Sequence, residues 1–380
     1  MDFTLTDEQR MLRDLVERIA GEQNRSDPSR TMAAIGGFNA CFWRELADVG
    51  LLAATLPESC GGLDAGPVAT MLIMAAFGRH LVLSPYVSTV VWAAALLARA
   101  GTQSQQQQYL PPILDGDDIF ALGYGEGEDD SDTEHIQTVA HRKADGYEIE
   151  GRKSLVLGAR WSRHLVVVAR ISDEQADAGR ATVGAFITPM DSEGIEARHY
   201  QTIDGASASD IRFRKLFVPA SARIGGGIDL RDALERIWDE ATVALCADAT
   251  GSMEAALSAT VQYARTRKQF GKPIGSFQVL QHRMVDMLLA REQSAAITHR
   301  AALALDDALP ARHRAVSAAK SLVGRHGRFV MQSAVQIHGG IGTTDELDVS
   351  HHFRRIEMFN LQLGTVDHHV QRYAALLDQA

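Results

Sequence analysis

A chain whose hydrophobic period changes twice has few architectures open to it, and this one changes near residue 119 and again near 227. Before the first change, apolar residues recur at helical spacing. Thr6 to Gln9 has the form of a capping box, and Met11, Leu12, Leu15, Val16 and Ile19 then share one face of the helix it opens. Further helical segments are expected at about 41–52, 66–82 and 87–100, and the glutamine-rich run 103–108 reads as a solvated helix start. From Ile119 the pattern shortens to seven β-rich runs, at 119–123, 137–143, 147–157, 165–170, 183–188, 195–203 and 210–218, with Asp145-Gly146 as a hairpin signal. That density of strands predicts a small barrel or sandwich. After Gly225, Gly226 and Gly227 the helical period returns at about 229–266, 278–306, 312–337 and 367–378, which predicts a bundle. The expected fold is therefore α+β: an all-helical domain over 1–117, a β-barrel or sandwich over 118–226, and a four-helix bundle over 227–380.

Composition narrows the function. With 46% hydrophobic and 23% charged residues among 380, the chain is expected to be an ordered globular protein. A net charge of -10 argues against nucleic acid as partner. The first residues have no basic stretch followed by an apolar one, and no window is long and apolar enough for a membrane span, so neither a signal peptide nor a span is expected. Cys41, Cys60 and Cys246 are odd in number and unpatterned, which fits a reducing, cytoplasmic setting and no zinc site. His351-His352 and His368-His369 are adjacent pairs, which diverge on a helix, so no metal site is expected. No nucleophile-elbow, Walker or dinucleotide-fingerprint motif stands in a strand-to-helix context.

Two runs carry chemistry. Arg265, Arg267 and Lys268 end one helical segment, which breaks at Phe270-Gly271 and restarts at Ser276, Phe277 and Gln278; about seventy residues on, Gln336 precedes Gly339 and Gly340 at another helix end. A dinucleotide pyrophosphate wants guanidinium donors, backbone N–H groups and glycines that permit close approach, and these residues supply all three. Alone, each run is ordinary: paired glycines cap helices, and Arg-x-x-Phe-Gly is a solvated turn. Their pairing resembles the C-terminal domain of acyl-CoA dehydrogenases, where an Arg-x-x-Phe-Gly run and a Gln-x-x-Gly-Gly run from one subunit grip the FAD of its neighbour. The order helix, β, bundle is also that of the family, so the resemblance covers nearly the whole chain. It implies Arg267, Phe270, Gln278, Gln336, Gly339 and Gly340 as FAD-binding residues across a subunit interface. It also implies an acyl-CoA substrate and transfer of electrons to an electron-transfer flavoprotein.

The chain departs from the family pattern in three places. The family's Trp-x-Thr strand after Gly-x-Lys, which faces the flavin, reads Leu155-Val156-Leu157 after Gly151-Arg152-Lys153, and an aliphatic pair cannot donate to flavin N5. The turn expected at the pyrophosphate keeps Glu126, Ser131 and Asp132 but adds Glu128, Asp129 and Asp130. At about 6 Å and an effective dielectric near 20, each such like-charge contact costs roughly 2–3 kcal/mol before screening. The family's base, a Glu before Gly-Thr, is Leu363 before Gly364-Thr365; the alternative base position, 26 residues before Arg267, is Ala241. No catalytic residue is thus assigned. The expectation is a subunit of a heteromeric α2β2 enzyme whose homologous partner supplies the base. Stretches 239–246 and 277–282 look most like the small-subunit branch associated with pimeloyl-type dicarboxyl-CoA degradation, similar to the paired dehydrogenases of steroid side-chain breakdown. Two alternatives are an autonomous homomeric dehydrogenase using Glu240 or an unrecognised base, and a non-catalytic scaffold or acyl-CoA binding protein.

Overall fold

The computed structural model describes residues 4–24, 38–127, 136–175 and 181–377. Among the described residues five helices come first: α1 (Asp7–Asn24), α2 (Ala40–Asp48), α3 (Gly66–Arg79), α4 (Ala95–Ala100, entered through a π-helical stretch Val87–Ala94) and α5 (Gln103–Leu114). Seven strands follow: β1 (Phe120–Gly123), β2 (Val139–Arg142), β3 (Gly146–Lys153), β4 (His164–Gln175), β5 (Ala181–Pro189), β6 (Ile195–Gln201) and β7 (Ser207–Pro219). The long helix α6 (Arg231–Thr266) leads into a short hairpin, β8 (Lys268–Gln269) and β9 (Lys272–Pro273), and then α7 (Gln278–Leu303), α8 (Leu309–His338), α9 (Asp348–Leu361) and α10 (Val366–Leu377). The chain divides into two compact units. Met1–Thr31, Pro67–Val82 and Thr242–Ala380 form a helical unit, and Met32–Gly66 with Leu83–Ala241 form a unit built around the sheet.

In the sheet unit, strands run in the order β1, β4, β2, β3, β7, β6, and β5 pairs with β4. One edge of β4 pairs antiparallel with β5; the other is shared, by β1 at His164 to Val167 and by β2 at Arg170 and Ile171, both parallel. Alternate residues Leu165, Val167, Ala169 and Ile171 point into an apolar core completed by Phe186, Phe213 and Leu216. The β2–β3 hairpin forms where Asp145-Gly146 signals it, although Gly146 has another reason to be glycine: a Cβ there would lie 2.2 Å from the Val218 carbonyl oxygen. The expected strand over 147–157 stops at Lys153, because Leu155 takes a left-handed φ of +51° that breaks the ladder.

In the helical unit the capping box of α1 closes both ways, with Thr6 N donating to Gln9 Oε1 (3.1 Å) and Gln9 N to Thr6 Oγ1 (3.2 Å). Helix α9 is not apparent from the sequence, because its buried face mixes Val349, Ile356 and Phe359 with Ser350, His352 and Asn360 and so shows little apolar period. Helices α3 and α6 meet backbone to backbone. A Cβ on Gly78 would lie 1.8 Å from the Asp248 carbonyl oxygen, and one on Gly251 would lie 1.9 Å from that of Ala75. Charges lock the same contact: Arg355 grips Asp248 through two bonds (2.7 and 2.6 Å) and donates to the Val82 carbonyl (2.8 Å). Arg79 bridges Glu17 and Glu254, and Arg291 also binds Glu254. Burial pushes the Glu254 carboxyl up, but the two guanidiniums outweigh it and hold the group below the usual carboxylate range.

Because nothing at Gly251 can yield except backbone, Gly251→Ala is expected to cost at least about 1–3 kcal/mol of overpacking, lowering the thermal midpoint by several degrees. Gly340→Ala, where the added Cβ meets nothing within 4 Å, should leave the midpoint unchanged in the same calorimetric scan.

Candidate active site

The first run sits on a strained turn. Arg267 N still donates to Tyr263 O (2.8 Å), closing the last turn of α6, and the chain then reverses between β8 and β9 through Phe270 and Gly271. Their φ values, +53° and +79°, are those of a two-residue hairpin turn that favours Asn-Gly. A phenylalanine in this conformation costs about 1–2 kcal/mol, and its ring is 91% exposed, so neither turn chemistry nor burial within the chain accounts for it. Among the described residues its one ring contact is edge-on with Phe277, at 6.2 Å, and Lys272 Nζ lies over Phe277 at 4.4 Å.

The second run is brought beside the first by one aromatic pair. Helix α8 ends at His338, with Gly339 in a conformation (φ 69°, ψ -147°) open to glycine. Tyr263, one turn before Arg267, stacks on His338 at 4.5 Å and donates to its carbonyl at 3.4 Å. Arg267, Phe270, Gln278, Gln336, Gly339 and Gly340 are all exposed, and a Cβ added at Gly271, Gly339 or Gly340 would enter open space. Among the described residues, the side chains of Arg267, Gln278 and Gln336 have no hydrogen-bond or ion-pair partner. A guanidinium, two amides, open glycine backbone and an exposed ring fit the phosphate and adenosine portions of a flavin dinucleotide.

Among its described residues the sheet unit offers no matching half. Lys153 is fully buried and donates to Tyr124 O (2.9 Å) and Glu126 Oε1 (2.7 Å); Glu126 also accepts from the backbone of Gln137 (2.5 Å) and Thr138 (2.9 Å). Burial pushes the Glu126 carboxyl up, and Lys153 outweighs it to hold the group below its ordinary value. Glu126 is therefore spent on internal bracing. Leu155 and Leu157 are half-buried aliphatics with nothing to donate, and Val156 between them exchanges two backbone bonds with Ser209 (2.9 and 3.0 Å). These residues do not fit an isoalloxazine that needs a donor at N5. Glu128, Asp129, Asp130, Ser131 and Asp132 lie outside the described residues.

Neither proton-acceptor position holds a carboxylate. Ala241 is fully buried, and the adjacent Glu240 is tied to Arg99 (2.5 Å) and Arg236 (2.7 Å) as an anchor. Asp239 is buried, and Asp248 is committed to Arg355. Leu363 occupies the turn between α9 and α10 with φ +53°, followed by Gly364 at +86°. That turn is braced by two buried groups, Lys320, which the sequence did not single out, and His369, weighed there only as a metal ligand. Lys320, on α8, donates to the carbonyls of Phe359 and Gln362 (the latter at 2.7 Å), and His369 Nε2 donates to Leu363 O at 2.8 Å. Burial holds the His369 imidazole well below its ordinary value, consistent with a neutral ring whose Nδ1 accepts from Ser317 Oγ at 3.3 Å. A buried lysine without a carboxylate would be found in sequence only by noticing its place on the apolar stripe of α8.

Exposed donors and open glycines gathered at the helix ends of the helical unit, in a chain that also carries a seven-stranded sheet unit, are compatible with a dinucleotide-binding oxidoreductase. Three family models match in order: the acyl-CoA dehydrogenase N-terminal domain over 6–117, the middle domain over 121–216 and the C-terminal domain over 231–377. The chain belongs to the acyl-CoA dehydrogenase family, whose cofactor is FAD. It is 30% identical over 376 residues to benzylmalonyl-CoA dehydrogenase of Aromatoleum aromaticum, covering 96% of each chain. It is similar to a chain of the ChsE4-ChsE5 complex of Mycobacterium tuberculosis, with a TM-score of 0.89, 26% identity and full coverage of both chains. It is also similar to the Tcur3481-Tcur3483 steroid acyl-CoA dehydrogenase variant, with a TM-score of 0.85, 27% identity and 99% of each chain covered. Among the described residues there is no group of side chains that could hold a metal and no helix long and apolar enough to cross a membrane.

Burial pushes the Lys320 ammonium down to about 7, from an ordinary 10.5. A base whose folded value lies below its unfolded value makes the unfolded chain bind more protons between the two. Stability should therefore rise with pH from about 7 toward 10, by at most about 1.4 kcal/mol per pH unit. Lys320→Met should flatten that rise in urea titrations taken across the window.

Proposed function

We propose that this chain is the base-lacking subunit of a heteromeric FAD-dependent acyl-CoA dehydrogenase. The observation that carries the reading is the apolar pair Leu363 and Ala241 at the two base positions, with Glu240 held by two guanidiniums. An α,β-desaturation needs a carboxylate to take the α-proton, and on this reading a homologous partner supplies it. FAD, when bound, supplies the hydride acceptor. This chain's part is binding: Arg267 and the backbone at Gly339 and Gly340 would hold phosphate oxygens, Gln278 and Gln336 would bond the adenosine side, and Phe270 would pack on the dinucleotide.

Several features support an interface beside this half-site. Helix α7 starts at Gln278 and leaves Val279, Val285 and Leu289 each more than half exposed, an unpartnered apolar face on the same helix. The strain and exposure of Phe270 make sense if a partner covers it. Likeness to chains of a two-component complex and of a steroid acyl-CoA dehydrogenase favours an α2β2 assembly acting on a bulky acyl-CoA, steroid-like or dicarboxylic, in the cytoplasm with an electron-transfer flavoprotein as acceptor. The same reading keeps a three-domain division at 1–117, 118–226 and 227–380.

Co-expression with a homologous base-bearing subunit tests it. The complex should contain about one FAD per two chains, and the chain purified alone should hold little. One FAD per chain in the isolated protein, bleached by an acyl-CoA without a partner, would overturn the reading. In the complex, Arg267→Ala should weaken FAD retention at least about tenfold, the loss of one charge-assisted contact; unchanged retention would remove the cross-subunit role.

A further inference from the structure

The sheet unit carries a second concentration of charge that the flavin reading does not use. A groove of about 1290 Å³ opens on the outer face of β3, β7 and β6. Register sets its chemistry. Arg152 on β3 stands directly opposite Arg212 on β7, and on the next strand Arg198 of β6 faces Asp210, two residues along β7 on the same face. Like charges directly opposite on neighbouring strands, about 5 Å apart, destabilise a sheet. The acids of the groove relieve them only in part: Glu196 on β6 stands opposite Arg212 in register, but its carboxylate is shared with a further arginine. Glu196 is bonded to Arg214 (2.9 Å), Asp210 accepts from Tyr200 Oη (2.9 Å) and Leu155 N (3.4 Å), and Glu126 is spent on Lys153. Glu150 is the one lining carboxylate with no partner among the described residues, against Arg152, Arg198, Arg212 and Lys215.

The backbone points the same way. Between the pairs Ile149↔Leu216 and Gly151↔Phe213, the single residue Glu150 opposes both Arg214 and Lys215, which makes a β-bulge. Lys215 takes φ +50° there, a conformation that costs a residue with a side chain and persists where surrounding structure enforces it. The bulge puts two consecutive basic residues on the wall of one groove, where a regular strand would alternate them between faces. A multiply charged anion with several oxygens can bridge guanidiniums on adjacent strands; a single carboxylate would neutralise only one of them.

We propose that this groove binds the phosphate groups of a small polyanionic ligand, with Arg152, Arg198 and Arg212 as its contacts and Lys215 at its rim. The site relieves the repulsion that the register imposes. It lies within the sheet unit, borders the Gly151–Lys153 strand end, and draws on arginines to which the flavin reading gives no role.

Calorimetric titration of the full-length chain at low ionic strength, with inorganic pyrophosphate and separately with adenosine 3′,5′-bisphosphate, tests it. Saturable binding of one anion per chain is expected, weakened at least about tenfold by Arg212→Ala or Arg152→Ala and unchanged by Arg13→Ala on α1, a control for general surface charge. Tighter binding of the nucleotide would support a site that also reads an organic moiety, and equal binding a site for the inorganic group. Absence of saturable binding for both, or equal weakening by Arg13→Ala, would overturn the proposal. A thermal melt gives a second readout: pyrophosphate should raise the midpoint of the wild type and not that of Arg152→Ser, and an equal rise in both would also overturn it. FAD content of the complex should be the same in these variants, so the outcome is distinct from that of the flavin test.

Discussion

The helical unit depends on two helices touching through glycine. Gly78 on α3 and Gly251 on α6 each face a carbonyl oxygen of the other helix, at distances no side chain would permit. Once the axes are that close, Asp248 sits where Arg355 can reach it together with the Val82 carbonyl, and Arg79 can span Glu17 and Glu254. These ion pairs are half-buried and share partners, so removing one member would leave a buried charge uncompensated. The position of α6 fixes where its last turn ends, and that turn carries Tyr263, Arg267 and the strained hairpin beyond.

A second constraint acts on the turn that presents a base elsewhere in the family. Helix α8 lines it with Ser317, Lys320 and Gly324 in succession, and each answers a specific need. Lys320 satisfies carbonyls left open at the end of α9, Ser317 orients His369, and a Cβ at Gly324 would strike Asn360 and Val366. The turn is thus held from several sides, while the residue it presents is Leu363. On the reading proposed here, support without the acid suits a subunit whose partner supplies the base.

Much of this was legible in the sequence. The period changes place the helices and strands, the Thr6 cap announces α1, the glutamine-rich run 103–108 marks the start of α5, and the two runs that Tyr263 and His338 join stand out through their residue types together with the family their pairing resembles. What escaped did so for physical reasons. Helix α9 buries His352 and Asn360 along with its apolar residues, so its stripe is broken. The end of β3 depends on the φ of Leu155, which no pattern reports. Lys320 and Lys153 look like surface lysines until the structure shows them fully buried. The facing pair Arg152 and Arg212 follows from strand register, which composition does not fix.

The two halves of the flavin question differ in one respect that bears on assembly. At the strand that would face a flavin, Lys153 and Glu126, Glu126 and two backbone amides, and Val156 and Ser209 satisfy one another, and the unrelieved arginines of the sheet unit lie in the groove beyond it. In the helical unit, Arg267, Gln278 and Gln336 have no partner among the described residues, and Phe270 adopts an unfavourable turn conformation while exposed. Internal satisfaction leaves nothing for a ligand to bond, whereas exposed donors can exchange water for a ligand at little cost and the strain at Phe270 can be offset by contacts from outside the chain. On the reading proposed here, that asymmetry is what a donated half-site requires: it must be stable while empty, and it gains when a flavin held by another subunit arrives.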